Sequence, residues 1–397
     1  MEQAWEDTFS LSQRGISSGV VEYLQKQAGL RIRQSIYTAQ VVIWLMILQR
    51  LQPLGTLATG VEALLAGVAD SLLSQCERAR RKRISRRTGG YSQARERLPT
   101  LLCRQVLAEL ITRLREILNP SGGRRAYLLD GSSLELEASP ALRKAFPPAQ
   151  NQHGQAHWPI LRIVAVHELE TGLAEEPCWG AMYGNDAVSE QQLANQAMAS
   201  LDPDSILVGD RNFGVFSIAW QARQRGLDVV IRLSEQRARK LAGGPISVEA
   251  ERMVRWTPSR FDGRRQGGMP EGAVIEGRLI AVRIGGGQSK QWLYLFTTVA
   301  FPQAEVVTLY GKRWNIETDL RSLKRTVRLH HIAVRNESMM EKELFTAVAA
   351  YNLVRAVIAL AARRHNFSPR QLSFTFALNG RNRPIPLKFS LGGRSRW

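Results

Sequence analysis

This chain is poor in cysteine, in histidine and in acid. Its cysteines, Cys76, Cys103 and Cys178, are odd in number and far apart, which excludes a disulfide framework and a zinc knuckle and leaves buried or inert thiols. The 6 histidines are as sparse. His153 and His157 stand at i, i+4 without the Glu that a metalloprotease helix places between them, and His330 and His331 have no ligand partners nearby, so a histidine metal site is not expected. Long apolar runs are also missing. Ile36 to Leu48 is too short to span a bilayer, and the helix-like stretch Phe345 to Ala362 carries Arg355 near its centre. The opening Met1-Glu-Gln-Ala-Trp-Glu-Asp7 is acidic and lacks a signal-peptide pattern, so cytoplasmic residence with no membrane partner is expected.

The shortage of acid is an excess of base. With 54 Lys plus Arg against 35 Asp plus Glu, the formal charge is +19 and the pI near 10.6. A polyanionic partner is implied, nucleic acid first. A chain of 397 residues with 44% hydrophobic content can bury one large core and carry one or two smaller modules.

Residues 1–120 read as helical. Ile36 to Leu51 and Leu54 to Leu73 carry helix-length apolar patterns, and Leu101 to Leu118 interleaves apolar residues with Arg104, Arg113 and Arg115. Between the last two lies a dense basic run from Arg78 to Arg87 that includes Arg80, Arg81, Lys82 and Arg83. Such a run is often only a solvated segment. Between helices it is also placed to grip phosphate, which makes this region the candidate DNA-binding part of the chain. Asn119 to Gly123 is a linker by composition.

After the linker the pattern becomes α/β. Tyr127 to Leu129, Ile160 to Leu169 and Trp179 to Met182 are predicted strands, followed by a helix from Glu190 to Ser200 and a strand from Ser205 to Val208. A further helix, Phe216 to Arg225, and strand, Val229 to Leu233, complete 121–234 as the first part of a mixed sheet covered by helices. Residues 235–302 are Gly-rich and basic, with hairpin-like strands at Val274 to Ile284 and Gln291 to Thr298, and read as a β-rich insertion. Residues 303–375 return to helix, and 376–397 form a basic tail rich in Gly and Pro that is expected to be poorly ordered.

One stretch carries a chemical pattern. In Tyr310 to Lys324, Arg313, Glu317 and Lys324 follow Tyr310 at offsets that place them at about 300°, 340° and 320° around a regular helix. All four side chains would then share one polar stripe. A solvated face laced with ion pairs is one reading, since Arg313 and Glu317 are also an i, i+4 pair. The other is a carboxylate among groups that grip phosphate. Asp130 and Asp210 each follow a short apolar run, at or near the end of a predicted strand. If those strands are neighbours, the two carboxylates converge and Glu317 completes a cluster of three. Hard oxygen donors of this kind suit Mg²⁺ or Mn²⁺, and two such ions can drive an in-line phosphoryl transfer. The plain alternatives are a turn residue in Asp130-Gly131 and a helix N-cap at Asp210.

Asp130-Gly-Ser, Gly209-Asp210-Arg211-Asn-Phe213 and the spacing Tyr310-x2-Arg313-x3-Glu317-x6-Lys324 resemble the DDE transposases of bacterial insertion sequences, in the group named after insertion sequence four. The resemblance covers about residues 85–375, and includes Gly90 to Pro99 and Tyr351 to Arg355 on either side of the acids. It implies a ribonuclease-H-like core with a β-rich insertion and an N-terminal helical DNA-binding region. Asp130, Asp210 and Glu317 would be the catalytic metal ligands for two Mg²⁺ or Mn²⁺ ions. Tyr310, Arg313, Lys324 and Arg211 would contact DNA near the cleaved phosphate, and Trp292 would stack a flipped base; a core tryptophan of the hairpin is its plain alternative. The implied activity is cleavage at the element's terminal inverted repeats and transfer of the 3′-hydroxyls to target DNA, by a homodimer in the DNA-bound synaptic complex. The other functions to weigh are a DNA-binding relative without activity and a nuclease without strand transfer. The segment after Phe376 lacks the Lys-Arg-Pro-rich ending expected of the family.

Overall fold

The computed structural model describes residues 16–379, apart from 17, 28, 30–34, 53–54, 75, 82, 120–121, 153, 261, 263–268 and 286–290. Lys82, His153 and the predicted tail from 380 onward lie outside the described residues.

The centre is one sheet of nine strands. In chain order, β1 is Ala126–Leu136, the short hairpin β2 and β3 is Gln150–Asn151 and Gly154–Gln155, β4 is Ile160–Glu168 and β5 is Cys178–Ala181. Next come β6 at Ile206–Gly209, β7 at Asp228–Arg232, β8 at Ala250–Trp256, β9 at Ile275–Ile284, β10 at Gln291–Thr297 and β11 at His331–Ile332. The order across the sheet is β5-β4-β1-β6-β7-β10-β9-β8, with β11 paired to the far end of β1 and the β2-β3 hairpin outside the sheet. Strands β1, β4 and β5 are antiparallel neighbours, and β6 and β7 then run parallel to β1. This mixed α/β sheet is consistent with a ribonuclease-H-like core.

Two strand readings need correction. The strand predicted at Tyr127 to Leu129 continues to Leu136, and Asp130-Gly131 is not a turn. Strand β4 pairs with β1 from Tyr127↔Glu168 to Glu135↔Ile160, so Gly131 lies opposite Val164 within the ladder. The insertion also contains a third strand, β8, that sequence patterning did not show. Only Val254 and Trp256 of its side chains are buried and Met253 is exposed, so the alternation is weak. Strand β10 pairs with β7. The insertion therefore prolongs the central sheet and covers what would otherwise be an open edge.

The helices follow from capping and apolar faces. Helix α1, Ala39–Leu51, starts at Thr38, whose hydroxyl accepts from the Val41 N–H, and it is buried along almost its whole length. The helix predicted from Leu54 to Leu73 ends at Leu65 instead, because Gly67 adopts φ 88° and only a 3₁₀ turn, Asp70–Leu73, follows. Helices α2, Gly89–Arg97, and α3, Thr100–Leu118, then lead into β1. The long α9, Glu337–Arg364, packs against α1 and α3, so the N-terminal helices share one apolar core with it. By length and composition α9 could cross a membrane, but 83% of its most apolar window is buried inside the protein. Glu343 of α9 is clasped by Arg50 of α1, at 3.0 Å from Nε, and by Arg95 of α2. Burial pushes the Glu343 carboxyl up, but the two guanidinium groups outweigh it and hold it below its ordinary value.

Four shorter helices serve the site. Helices α4, Glu190–Ala197, and α5, Phe216–Gln224, flank the β6 loop, while α7, Gln303–Gly311, and α8, Asn315–Arg321, carry the Tyr310 stretch after α6, Glu235–Ala242.

Candidate active site

The parallel register Leu129↔Gly209 makes Asp130 and Asp210 neighbours on strands about 4.8 Å apart. Asp130 lies within β1 but one residue past the last rung of its ladder with β6, and Asp210 is the first residue past β6. Each is held by backbone. The Gly131 N–H donates to Asp130 Oδ1 at 2.9 Å, and the Asn212 N–H donates to Asp210 Oδ1 at 2.9 Å. Phe213, buried in the core beside them, anchors the loop.

Glu317 comes to the same edge from α8. Burial pushes the Asp130 carboxyl up to about 6, Asp210 adds to the rise, and Glu317 adds a little more. The Gly131 N–H and Arg313 work against it. Three acids and one guanidinium therefore share a field, although the acids are separated by 80 and more residues in sequence. The ion pair foreseen as the alternative is also real. Arg313 Nη2 lies 3.0 Å from Glu317 Oε1, with the side chains 16% and 36% exposed. Glu317 is thus held by Arg313, and among the described residues no three acids, histidines or cysteines are already gathered tightly enough to hold a metal ion.

The regular-helix projection of Tyr310 to Lys324 does not survive intact. Helix α7 tightens to a 3₁₀ turn at Lys312–Trp314, α8 follows, and Ser322–Thr326 widens into a π turn. Tight and wide turns rotate the chain in opposite senses relative to an α-helix, so Lys324 still returns to the site. Its Nζ is 3.1 Å from Ser132 Oγ, on the same face of β1 as Asp130. Burial lowers the Lys324 pKa, against the pull of Glu135. Tyr310 is only 5% exposed and sits in the apolar cluster under β6, β7 and β10. Burial raises its hydroxyl pKa, while Arg313, Arg232 and a hydrogen bond to Arg232 pull the other way. Its ring supports the site from below rather than lying at the surface.

Several participants had no sequence signal. Asp319, two residues beyond Glu317, points to the opposite side of α8 and is 2% exposed. Arg355 Nη2 reaches it at 2.7 Å and Arg370 Nη1 at 2.7 Å, with His167 Nδ1 at 3.8 Å behind. Burial would raise the Asp319 pKa, yet Arg355, His167 and Arg370 hold it below its ordinary value. Arg355, read from sequence as a mark against membrane insertion, is thus a structural partner of the helix that carries Glu317. Trp314, inside the signature, is 57% exposed, an unusual state for a tryptophan.

The other residues singled out in the sequence fall around this edge or in the N-terminal region. Arg211 is exposed on the Asp210 loop. Trp292 is half-buried, stacked with Tyr294 and under the guanidinium of Arg283 at 4.9 Å. Since Leu295 pairs with Arg232 at the end of β7, Trp292 stands three residues further out on the edge that carries Asp210. The basic run is far less regular than the helices around it. Arg80, Arg81 and Arg83 are exposed, and Arg81 is paired with Glu77. Arg83 joins Arg78, Arg87 and Arg97 in lining a cavity of about 810 Å³ with an apolar floor that includes Val42 and Leu102. Two of the three thiols are held in the neutral form: burial pushes Cys103 up to about 12 and Cys178 to about 11.

Residues 121–353 match the family described as Transposase DDE domain. The chain is also similar to the transposase InsG for insertion sequence element IS4 of Escherichia coli (strain K12), at 25% identity over 256 residues. That match covers 62% of this chain and 55% of the relative, so the chain spans about half the length of the curated relative it matches. The matched range contains Asp130, Asp210 and Glu317 together with every strand of the sheet.

Proposed function

The chain belongs to the Transposase DDE domain family, and from that premise we propose that it is a DNA transposase. It binds the terminal inverted repeats of an insertion sequence, cleaves at their ends and transfers the 3′-hydroxyls to target DNA. The observation that carries this reading is the adjacency of Asp130 and Asp210 across the β1–β6 register, with Glu317 brought to the same edge by α8, where all three acids crowd together. Like charges in that state call for a cation, and oxygen donors alone favour Mg²⁺ or Mn²⁺ over zinc. Asp130, Asp210 and Glu317 would hold two such ions. When bound, they supply activation of the attacking hydroxyl and neutralisation of the phosphate.

The chain's own groups perform the rest. Arg313, paired with Glu317 at 3.0 Å, lies at the same edge, where its guanidinium could bind two phosphate oxygens at once. Lys324, kept in place by Ser132, adds a second positive charge on the β1 side, and Arg211 a third on the loop. Tyr310 is hydrogen-bonded to Arg232 beneath them and lies in the field of Arg313. The exposed ring of Trp314 and the half-buried ring of Trp292 offer faces on which an unpaired base can stack. Arg78, Arg83, Arg87 and Arg97 around the N-terminal cavity supply phosphate contacts for end binding. Capture of two ends for joint cleavage calls for a homodimer in the DNA-bound complex.

The test is binding and cleavage of DNA carrying the element's ends. D130N, D210N and E317Q should each bind ends and fail to cut them in Mg²⁺. Cutting by any of the three overturns the assignment.

A further inference from the structure

A fourth carboxylate lies against both catalytic aspartate segments. Glu190 is the first residue of α4, whose start is fixed by a reciprocal pair of hydrogen bonds between Ser189 and Gln192. Its Oε2 accepts a hydrogen bond from the side-chain amide of Asn212, and the next residue, Gln191, donates from Nε2 to the Asn212 carbonyl at 3.1 Å. The backbone N–H of that same Asn212 holds Asp210 Oδ1. On its other side the Glu190 carboxylate rests on Gly131. A β-carbon built at 131 would lie 2.7 and 2.8 Å from its two oxygens, so the close approach requires glycine there. The N–H of Gly131 in turn holds Asp130 Oδ1.

Resting on the metal-site reading above, we propose that Glu190 is a positioning residue that locks the Asp130 strand and the Asp210 loop at one fixed separation. It acts through Asn212 on one side and through contact with Gly131 on the other. Arg211 and Asn212 are exposed, and the loop's own turn bonds, from the Phe213 N–H to the Asp210 carbonyl at 3.2 Å and from the Gly214 N–H to the Arg211 carbonyl at 3.3 Å, do not tie it to the Asp130 strand. A site that must hold divalent ions between two carboxylates depends on that spacing, and groups that orient ligands typically govern metal affinity by about 10- to 100-fold.

The experiment compares full-length wild type, E190A, E190Q, G131A and D210N in two measurements. The first is Mn²⁺ titration followed by electron paramagnetic resonance. The second is the rate of tryptic cleavage after Arg211 without metal. E190A should bind Mn²⁺ about 10-fold more weakly and be cut faster at Arg211. G131A, which pushes the carboxylate away without removing it, should move in the same direction. E190Q should restore both properties, because its amide oxygen accepts the same bond from Asn212. A general loss of folding would not be repaired by this isosteric change.

Wild-type Mn²⁺ affinity and a wild-type tryptic rate in E190A overturn the proposal. So does E190Q as impaired as E190A, which would mean that the charge, not the hydrogen bond, is what matters. If D210N binds Mn²⁺ as well as wild type, the metal-site reading fails, and the tryptic rates still decide whether Glu190 locks the loop.

Discussion

Two carboxylates two residues apart on α8 live in opposite electrostatic worlds. Asp319 faces inward between Arg355 and Arg370, and its pKa is held down despite burial. Glu317 faces outward, shares one arginine, and adds its charge to an edge where Asp130 is pushed up to about 6. The first cluster is saturated with opposite charge and holds the helix. The second has more negative charge than its fixed partners balance, and a site with charge to spare is one that can bind something. The same helix thus joins a charge-balanced region to an acid-rich edge.

The comparison can be broken most severely at the reactive edge. E317Q and D210N should each lower cleavage by on the order of 10³-fold or more, while thermal melting stays near wild type. D130N should share that loss and melt at a higher temperature, because it removes a buried charge that its neighbours oppose. A drop in melting temperature for D130N would mean that the edge is not electrostatically strained.

The inward face should respond in the reverse manner. D319A leaves Arg355 and Arg370 without their shared partner in a buried site, a change that costs about 3–5 kcal/mol. Chemical denaturation of D319A reads this directly. An unfolding free energy within about 1 kcal/mol of wild type would show that the cluster is not a lock.

Acid should weaken the same face through His167. Burial lowers its pKa to about 4, although Asp319 and the Gly172 carbonyl pull upward and Arg370 and Arg355 add to the lowering. The unfolded chain takes up this proton near pH 6.5 and the folded chain only near 4. The stability from neutral His167 is therefore present in full above about 6.5 and is lost as pH falls from there towards 4. Asp319, depressed in the fold, contributes above its ordinary carboxylate range and loses that contribution at still lower pH. Melting temperature recorded against pH should slope downward below 6.5 in wild type and flatten between 6.5 and 4 in H167Q. An equal slope in both would place the effect elsewhere.

The smallest effects belong to the exposed arginines of the N-terminal region. R83A and R87A should leave melting unchanged and weaken DNA binding evenly across sequences, each lowering the slope of affinity against salt by about one. Titrations at several salt concentrations measure it.

Much of the acid-rich edge was legible in the sequence, and little of what supports it was. Asp130, Asp210 and Glu317 stood out because short apolar runs mark strands and because a charged stripe at helical spacing is rare on a packed helix. Asp319 was invisible for the same reason that Glu317 was conspicuous. A lone acid near other charges reads as surface until the fold brings Arg355 and Arg370 to it from 36 and 51 residues away. Glu190 looked like any first-turn acid. The reach of β1 past Gly131 depends on pairing with β4, and the 3₁₀ and π turns around α8 depend on packing, so neither leaves a local pattern. Gly67 is different: its effect on the predicted helix was local, and the break was there to be read.

The most direct measurement follows a labelled 3′ end of the element's DNA in a reaction with unlabelled target and Mg²⁺. The label should appear in target DNA with wild type and be absent with E317Q or with Mg²⁺ chelated. Label joined to target by E317Q, or by wild type in chelator, would contradict the claim that this edge of the sheet is a metal-dependent strand-transfer site.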